Sequence, residues 1–283
     1  MLTGQPSRTL LGPAIWRAAH QLLDAPLIFE DPIAVGLVPE ASEEVIRSRA
    51  TEHQTKESVL LRSLFALRSR FAEDRLRKAA ARGVHQYVIV GAGLDTFPWR
   101  QPAYARGMAI FLVDHQSSLT WTQTRFLERG LSTPSNLTFV PLDLDQDNVE
   151  STLATHGFNR DASAFLSVLG VTQYLERSSV ESLLRVVASF GPGSEIVFTF
   201  VPQDDDLNGL DREFATASAN RTARLGEPWK TRLAATELAM VLRRIGFVDI
   251  VHLTPALAEQ TYFRGRQDEL RAPSWEQLIA AVV

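Results

Sequence analysis

Five short apolar runs recur along the chain, and their spacing most constrains the fold. They are Tyr87-Val88-Ile89-Val90, Ile110-Phe111-Leu112-Val113, Leu137-Thr138-Phe139-Val140, Ala164-Phe165-Leu166 and Ile196-Val197-Phe198-Thr199-Phe200. Their starts lie roughly 23 to 32 residues apart, the length of one strand plus one crossover helix. The runs are mostly continuous rather than alternating, so both faces are buried, as in a parallel sheet covered by helices. Ser178 to Val187 offers serine caps and an apolar stripe, and stops at Gly191-Pro192-Gly193. A later helix over about 236–245 ends at Gly246 and leads into Phe247-Val248-Asp249-Ile250-Val251, and Thr261-Tyr262-Phe263 is the last candidate strand. The expectation is an α/β Rossmann-like fold with a mostly parallel seven-stranded sheet and helices on both faces.

Residues 1 to about 80 read as helical and precede the first strand. Residues 202–232 form a polar insertion after the fifth run. Extra segments of this kind commonly cover the carboxyl edge of an open sheet, where ligands bind. One domain over 1–283 is therefore expected. It comprises an N-terminal helical cap (1–80), a ligand-binding half (84–201), a lid insertion (202–232) and the remainder of the sheet (233–283).

Composition narrows the chemistry. At 45% hydrophobic and 22% charged residues the chain is ordinary for a globular protein, and a net charge of −4 gives no support to a nucleic-acid partner. No apolar stretch reaches the roughly 20 residues needed to span a bilayer. The N-terminal MLTGQPSRTLLGPAIW has no basic leader before an apolar core, so a cytoplasmic protein is expected. With no cysteine, disulfides, thiolate metal sites and a cysteine nucleophile are excluded. The histidines at 20, 53, 85, 115, 156 and 252 include no i, i+4 pair, so no transition-metal site is expected, while an all-oxygen magnesium site stays open. Nothing in the sequence fixes an oligomeric state.

The first run ends in Gly91-Ala92-Gly93-Leu94-Asp95-Thr96, a strand followed by a Gly-x-Gly turn. Glycines there let the backbone turn sharply and approach a ligand. A dinucleotide fold wants a third glycine where Thr96 stands, and Asp95 beside a pyrophosphate would be a like-charge contact. S-adenosylmethionine has no phosphate. It carries a sulfonium, an ammonium and a carboxylate, and Asp95 favours its cationic part. Two further acids follow strands. Asp114 ends the second, where Rossmann-like folds hold ribose hydroxyls. Asp143 follows the third, placed to accept from the adenine amine while Leu142 and Leu144 pack on the ring.

These residues resemble the leucine carboxyl methyltransferase family, in its bacterial S-adenosylmethionine-dependent branch. The resemblance begins near Ser7-Arg8-Thr9 and Leu27-Ile28-Phe29-Glu30-Asp31-Pro32. It is strongest from Leu67-Arg68-Ser69-Arg70 through Gly91-Ala92-Gly93-Leu94-Asp95-Thr96, and it runs on through Val113-Asp114 and Val140-Pro141-Leu142-Asp143-Leu144 to Tyr262-Phe263-Arg264-Gly265-Arg266. It implies a class I methyltransferase fold. It further implies that Arg68 pairs with the donor's carboxylate, with Arg70 as a second candidate, that Gly91 and Gly93 line the methionine part, that Asp114 holds the ribose, and that Asp143 and Leu144 hold the adenine. His115, beside Asp114, belongs to the same adenosyl pocket.

Many family members read Ala-Glu-Gly after the fourth strand. Here the segment is Leu166-Ser167-Val168-Leu169-Gly170-Val171-Thr172-Gln173-Tyr174-Leu175, and Ser167 is read as replacing the acid. The donor's ammonium is then held by the Ser167 hydroxyl or by backbone carbonyls. Gln173 and Tyr174 fall near the methyl-transfer point and face the acceptor, or Tyr174 packs in the core. The expected activity is O-methylation of a small-molecule carboxylate, or else of a hydroxyl, which would want a base such as His115. An NAD-dependent oxidoreductase and a non-catalytic donor-binding protein are the alternatives. Arg17, His20, Arg221 and Arg224 are candidate contacts for an acidic acceptor.

Overall fold

The computed structural model describes residues 8–283. The readings that fall on residues 1–7, including the first part of the N-terminal segment and Ser7, lie outside the described residues. Ten α-helices are found among them: α1 (Leu11–Leu23), α2 (Glu43–Ser48), α3 (Lys56–Ala81), α4 (Phe97–Arg100), α5 (Gln116–Glu128), α6 (Val149–Thr155), α7 (Arg177–Ala188), α8 (Gly209–Arg224), α9 (Ala235–Ile245) and α10 (Pro255–Ala258). The strands are β1 (Gln86–Val90), β2 (Ala109–Asp114), β3 (Leu137–Pro141), β4 (Phe165–Val168), β5 (Glu195–Phe200), β6 (Asp249–Leu253) and β7 (Gln277–Val282).

All seven strands form one sheet in the order β3-β2-β1-β4-β5-β7-β6. The first five pair parallel, and β7 runs antiparallel between β5 and β6. The continuous apolar runs explain this layering. Tyr87 and Ile89 of β1 face a core completed by Leu67, Phe71 and Leu76 of α3. Val88 and Val90 face the opposite core, with Leu153 of α6, Leu183 and Leu184 of α7 and Leu242 of α9. Helix α3 starts where the Thr55 side chain accepts from the Ser58 amide, with Glu57 in its first turn and Lys78 in its last, in keeping with the helix dipole. It also packs on α1. The chain runs β1 to β3 outward in one direction and then returns to place β4 against the other side of β1. That reversal opens a crevice beyond the carboxyl ends of β1 and β4.

Two strand expectations are corrected. Thr261-Tyr262-Phe263 is not a strand but the end of a π-helical turn, Glu259–Phe263. Tyr262 is anchored there by its hydroxyl, which donates to Asp74 of α3 at 3.2 Å. The last strand is instead Gln277–Val282, in which Ala280 and Ala281 weaken the β-branched and aromatic signal of a strand. Both alanines are fully buried, one on each face of the sheet. The run at 247–251 is shifted to Asp249–Leu253, because Gly246, at φ +123°, ends α9 and Phe247 and Val248 make the turn into the strand. No helix among the described residues is long and apolar enough to cross a membrane.

Candidate functional site

A cavity of about 490 Å³ opens over the carboxyl ends of β1, β2 and β4. The glycine turn forms its floor. Gly91 takes φ +63° and Gly93 φ +51°, the left-handed region that favours glycine. Space imposes the same choice. A Cβ on Gly91 would come to 2.2 Å from Val171 Cγ2, and one on Gly93 to 2.8 Å from Leu10 Cδ2. The Gly91 and Ala92 amides donate to the Val113 carbonyl at 2.9 and 3.2 Å, which ties the turn to β2.

Asp114 braces the turn from beside it. Its carboxylate accepts from the Gly93 amide at 2.9 Å and the His115 amide at 2.7 Å. Burial pushes its pKa above the ordinary 3.8, against the pull of those two amides. Asp95 accepts from the Phe97 amide at 2.8 Å and so opens α4 while lining the cavity. His115 caps α5, its Nδ1 lying 3.3 Å from the Ser117 amide and 2.8 Å from the Ser117 hydroxyl. Asp143 and Leu144 line the cavity beyond β3, and Asp143 accepts from the Asp145 amide at 3.0 Å.

Arg68 enters from α3. It is buried, it lines the cavity, and its guanidinium lies 4.4 Å from the Phe65 ring centroid and 3.5 Å from Glu276 Oε1. Burial pulls the guanidinium below its ordinary pKa, while Glu276 opposes that shift. Arg70 does not reach the cavity. It binds Asp74 at 2.9 Å and the Ile28 carbonyl at 3.0 Å, which removes it as a second anchor. Positions i and i+2 of a helix point about 200° apart, so only one of the two arginines can face the crevice.

The segment after β4 also needs correction. Ser167 is on β4, lines the cavity, and its hydroxyl lies 2.9 Å from the Tyr87 hydroxyl. In an Ala-Glu-Gly pattern the acid directly precedes the glycine, and the residue directly before Gly170 is Leu169, also in the cavity lining. Leu169, not Ser167, therefore stands at the acid's place. Tyr174 lines the cavity, and burial pushes its phenol up to about 12. Gln173 does not line it. Its backbone carbonyl instead accepts from the amides of Lys230 at 2.7 Å and Thr231 at 3.3 Å, and so holds the segment after α8 in place.

Among the candidate acceptor contacts, Arg17 lines the cavity, where it binds Asp31 at 3.0 Å and the Leu94 carbonyl at 2.5 Å. His20 is buried against Asp24 at 2.8 Å, and Arg221 pairs with Glu57 at 3.0 Å on the surface. Neither they nor Arg224 line the cavity. Sequence reasoning missed Glu227 and Lys230, which do. Glu227 accepts from the Thr9 hydroxyl at 2.6 Å, and Lys230 binds Asp145 at 2.8 Å. Both contacts join segments remote in sequence, for which no local pattern exists.

A sequence profile of the leucine carboxyl methyltransferase family matches residues 10–188. The Bacillus subtilis (strain 168) protein YktD, named as a candidate S-adenosyl-L-methionine-dependent methyltransferase, is 30% identical over 310 aligned positions that cover 100% of this chain and 99% of YktD. The chain belongs to the leucine carboxyl methyltransferase family. A Mycobacterium marinum protein named for the same activity is 28% identical over 72% of this chain and 67% of its own length. In fold, the chain is similar to the crystal structure of a Thermobifida fusca YX protein named as a candidate methyltransferase, with a TM-score of 0.60 at 14% identity over 99% of this chain and 96% of that one.

The protein is thus an S-adenosylmethionine-dependent methyltransferase with a class I, mostly parallel seven-stranded sheet. The alternative of an NAD-dependent oxidoreductase falls with this assignment. The residues of the methyltransferase's cavity fit the donor. A glycine cradle that a Cβ would fill, a buried guanidinium and a buried carboxylate at the end of β2 match a ligand with a thin methionine chain, a carboxylate and a ribose.

Proposed function

We propose that this methyltransferase transfers a methyl group to the carboxylate oxygen of a small molecule. The observation that carries the reading is the state of the titratable side chains lining the cavity. His115 is committed to capping α5, and the Tyr174 phenol is held protonated at neutral pH. The lining carboxylates of Asp95, Asp114, Asp143, Asp145 and Glu227 are each engaged by a backbone or side-chain donor. No lining base is thus left free among the described residues to deprotonate an alcohol or phenol. A carboxylic acid, with an ordinary pKa near 4, arrives ionised and needs none.

S-adenosylmethionine, when bound, supplies a methyl group already activated by its sulfonium. The chain's task is to bind, align and keep out water. In this reading Arg68 pairs with the donor's carboxylate, Gly91, Ala92 and Gly93 pass close to its methionine chain, and Asp114 accepts from the ribose hydroxyls. Asp143 and Leu144 flank the adenine, and His115 completes that pocket. Asp95 and Ser167 face the cationic end. Tyr174, as a protonated phenol, donates a hydrogen bond to the acceptor carboxylate. Residues up to about 80 act as a cap and residues 202–232 as a lid, meeting over the cavity through Thr9 and Glu227. A cavity of about 490 Å³ shared with the donor leaves room only for a small acceptor or the end of a longer one.

The test uses a donor labelled in its methyl group, with a panel of small carboxylic acids and matched phenols and alcohols. Methyl esters release methanol in alkali, whereas methyl ethers do not. Label transferred to acids and released as volatile methanol is the expected result. Transfer only to phenols or alcohols, stable to alkali, would overturn the reading.

A further inference from the structure

Arg68 is a long side chain carried into the sheet's crevice from a helix, and its placement has a cause outside the cavity. Three contacts fix it. The Phe65 ring lies 4.4 Å from the guanidinium carbon, and Glu276 Oε1 lies 3.5 Å from Nη1. Gly170, at φ +73°, leaves the space below, since a Cβ there would come to 2.6 Å from Nη1. Glu276 is 3% exposed, directly precedes β7, and is not part of the cavity lining. Its carboxylate also faces the Thr199 hydroxyl, whose oxygen accepts from the Gly170 amide at 2.7 Å. One buried acid thus joins α3, β5, β7 and the turn after β4.

A buried carboxylate without a partner would be costly, as would a buried guanidinium. Burial pushes Glu276 up and Arg68 down from their ordinary pKa values, and each opposes the other's shift. The pair is therefore maintained by mutual need. A guanidinium has five N–H donors, so Glu276 on one side leaves others directed to the cavity. An arginine free to rotate would lose side-chain entropy when it engaged a ligand, whereas one already fixed has lost it on folding.

We propose that Glu276 is a positioning residue for donor binding, holding the Arg68 guanidinium in the orientation that receives the donor's carboxylate. The inference rests on the reading of Arg68 as the carboxylate anchor. It assigns a role to the one buried acid of this network that the cavity itself does not use.

The test is calorimetric and needs no acceptor. S-adenosylhomocysteine carries the amino-acid tail, and 5′-methylthioadenosine has the adenosyl group and thioether without it. Arg68→Ala is measured first and is expected to weaken S-adenosylhomocysteine by about 30-fold or more, while 5′-methylthioadenosine changes less than about twofold. Glu276→Ala is expected to weaken S-adenosylhomocysteine about tenfold, again sparing 5′-methylthioadenosine, which also reports that the site is folded. Glu276→Gln keeps one oxygen for Arg68 and should recover most of the loss, to within about threefold of the wild type. If Arg68→Ala is selective but Glu276→Ala changes both ligands equally, or neither, the positioning role is overturned and the anchor reading stands. If Arg68→Ala itself does not discriminate the ligands, the anchor reading fails and the proposal fails with it.

Discussion

The floor of the cavity and its outer wall are held by different kinds of contact. The floor is backbone. Gly91 and Gly93 adopt left-handed conformations at the ends of parallel strands, and their amides bond to β2 and to Asp114. The wall is side chain. Glu227 meets Thr9 across 218 positions of sequence, and Lys230 meets Asp145 with both partners about a third exposed. A backbone floor tolerates almost no substitution, because its shape follows from the strand order. A wall of side-chain pairs at or near the surface can be rebuilt one residue at a time, and an exposed pair such as Lys230–Asp145 is worth little.

The most severe way to break this contrast is Gly91→Ala. The new Cβ meets Val171 and the left-handed backbone is strained, together roughly 3 kcal/mol or more. Donor-product affinity measured by calorimetry should fall at least about 100-fold. Asp114→Ala comes next. It removes the proposed ribose acceptor and leaves two amides without their partner, and a loss of about 10- to 50-fold is expected in the same measurement.

The Asp114 carboxylate also gives the floor a pH signature. As the proposed acceptor for the ribose hydroxyls it works best when ionised, and burial raises its pKa above 3.8. Donor affinity should therefore be complete above that raised pKa and fall as pH drops through it, earlier than for an exposed aspartate. Asp114→Asn should flatten this limb of the profile. Lys230→Ala probes the wall. It breaks an exposed pair with Asp145, and donor-product affinity should change less than about threefold, with the difference shrinking at high salt. The smallest effect belongs to Arg70→Ala, which should leave affinity within about twofold, since Arg70 faces Asp74 and not the cavity. A large effect from either wall or surface variant, matching that of Gly91→Ala, would erase the distinction.

The same contrast explains what could be read from sequence. Strands β1 to β5 declare themselves through continuous Val, Ile, Leu and Phe runs, and Gly246 marks the end of α9. The Gly91-Ala92-Gly93 turn with Asp114 was legible because its chemistry is local to strand ends. Strand β7 was not, since Ala280 and Ala281 owe their place to tight packing between two other strands rather than to propensity. Glu276 was hidden with it. Arg68 and Arg70 could not be separated by composition, only by the helix rotation that turns one of them inward. The Thr9–Glu227 and Lys230–Asp145 contacts depend on the folded path of the chain and leave no motif.

The central claim is that the crevice beyond β1 and β4 binds the donor through the glycine floor, Asp114 and Arg68. A crystal structure with S-adenosylhomocysteine tests it most directly. Density is expected along Gly91–Gly93, with the ribose hydroxyls on the Asp114 carboxylate and the amino-acid carboxylate on Arg68. Density for the ligand elsewhere, or in this crevice with its carboxylate remote from Arg68 and its ribose remote from Asp114, would contradict it.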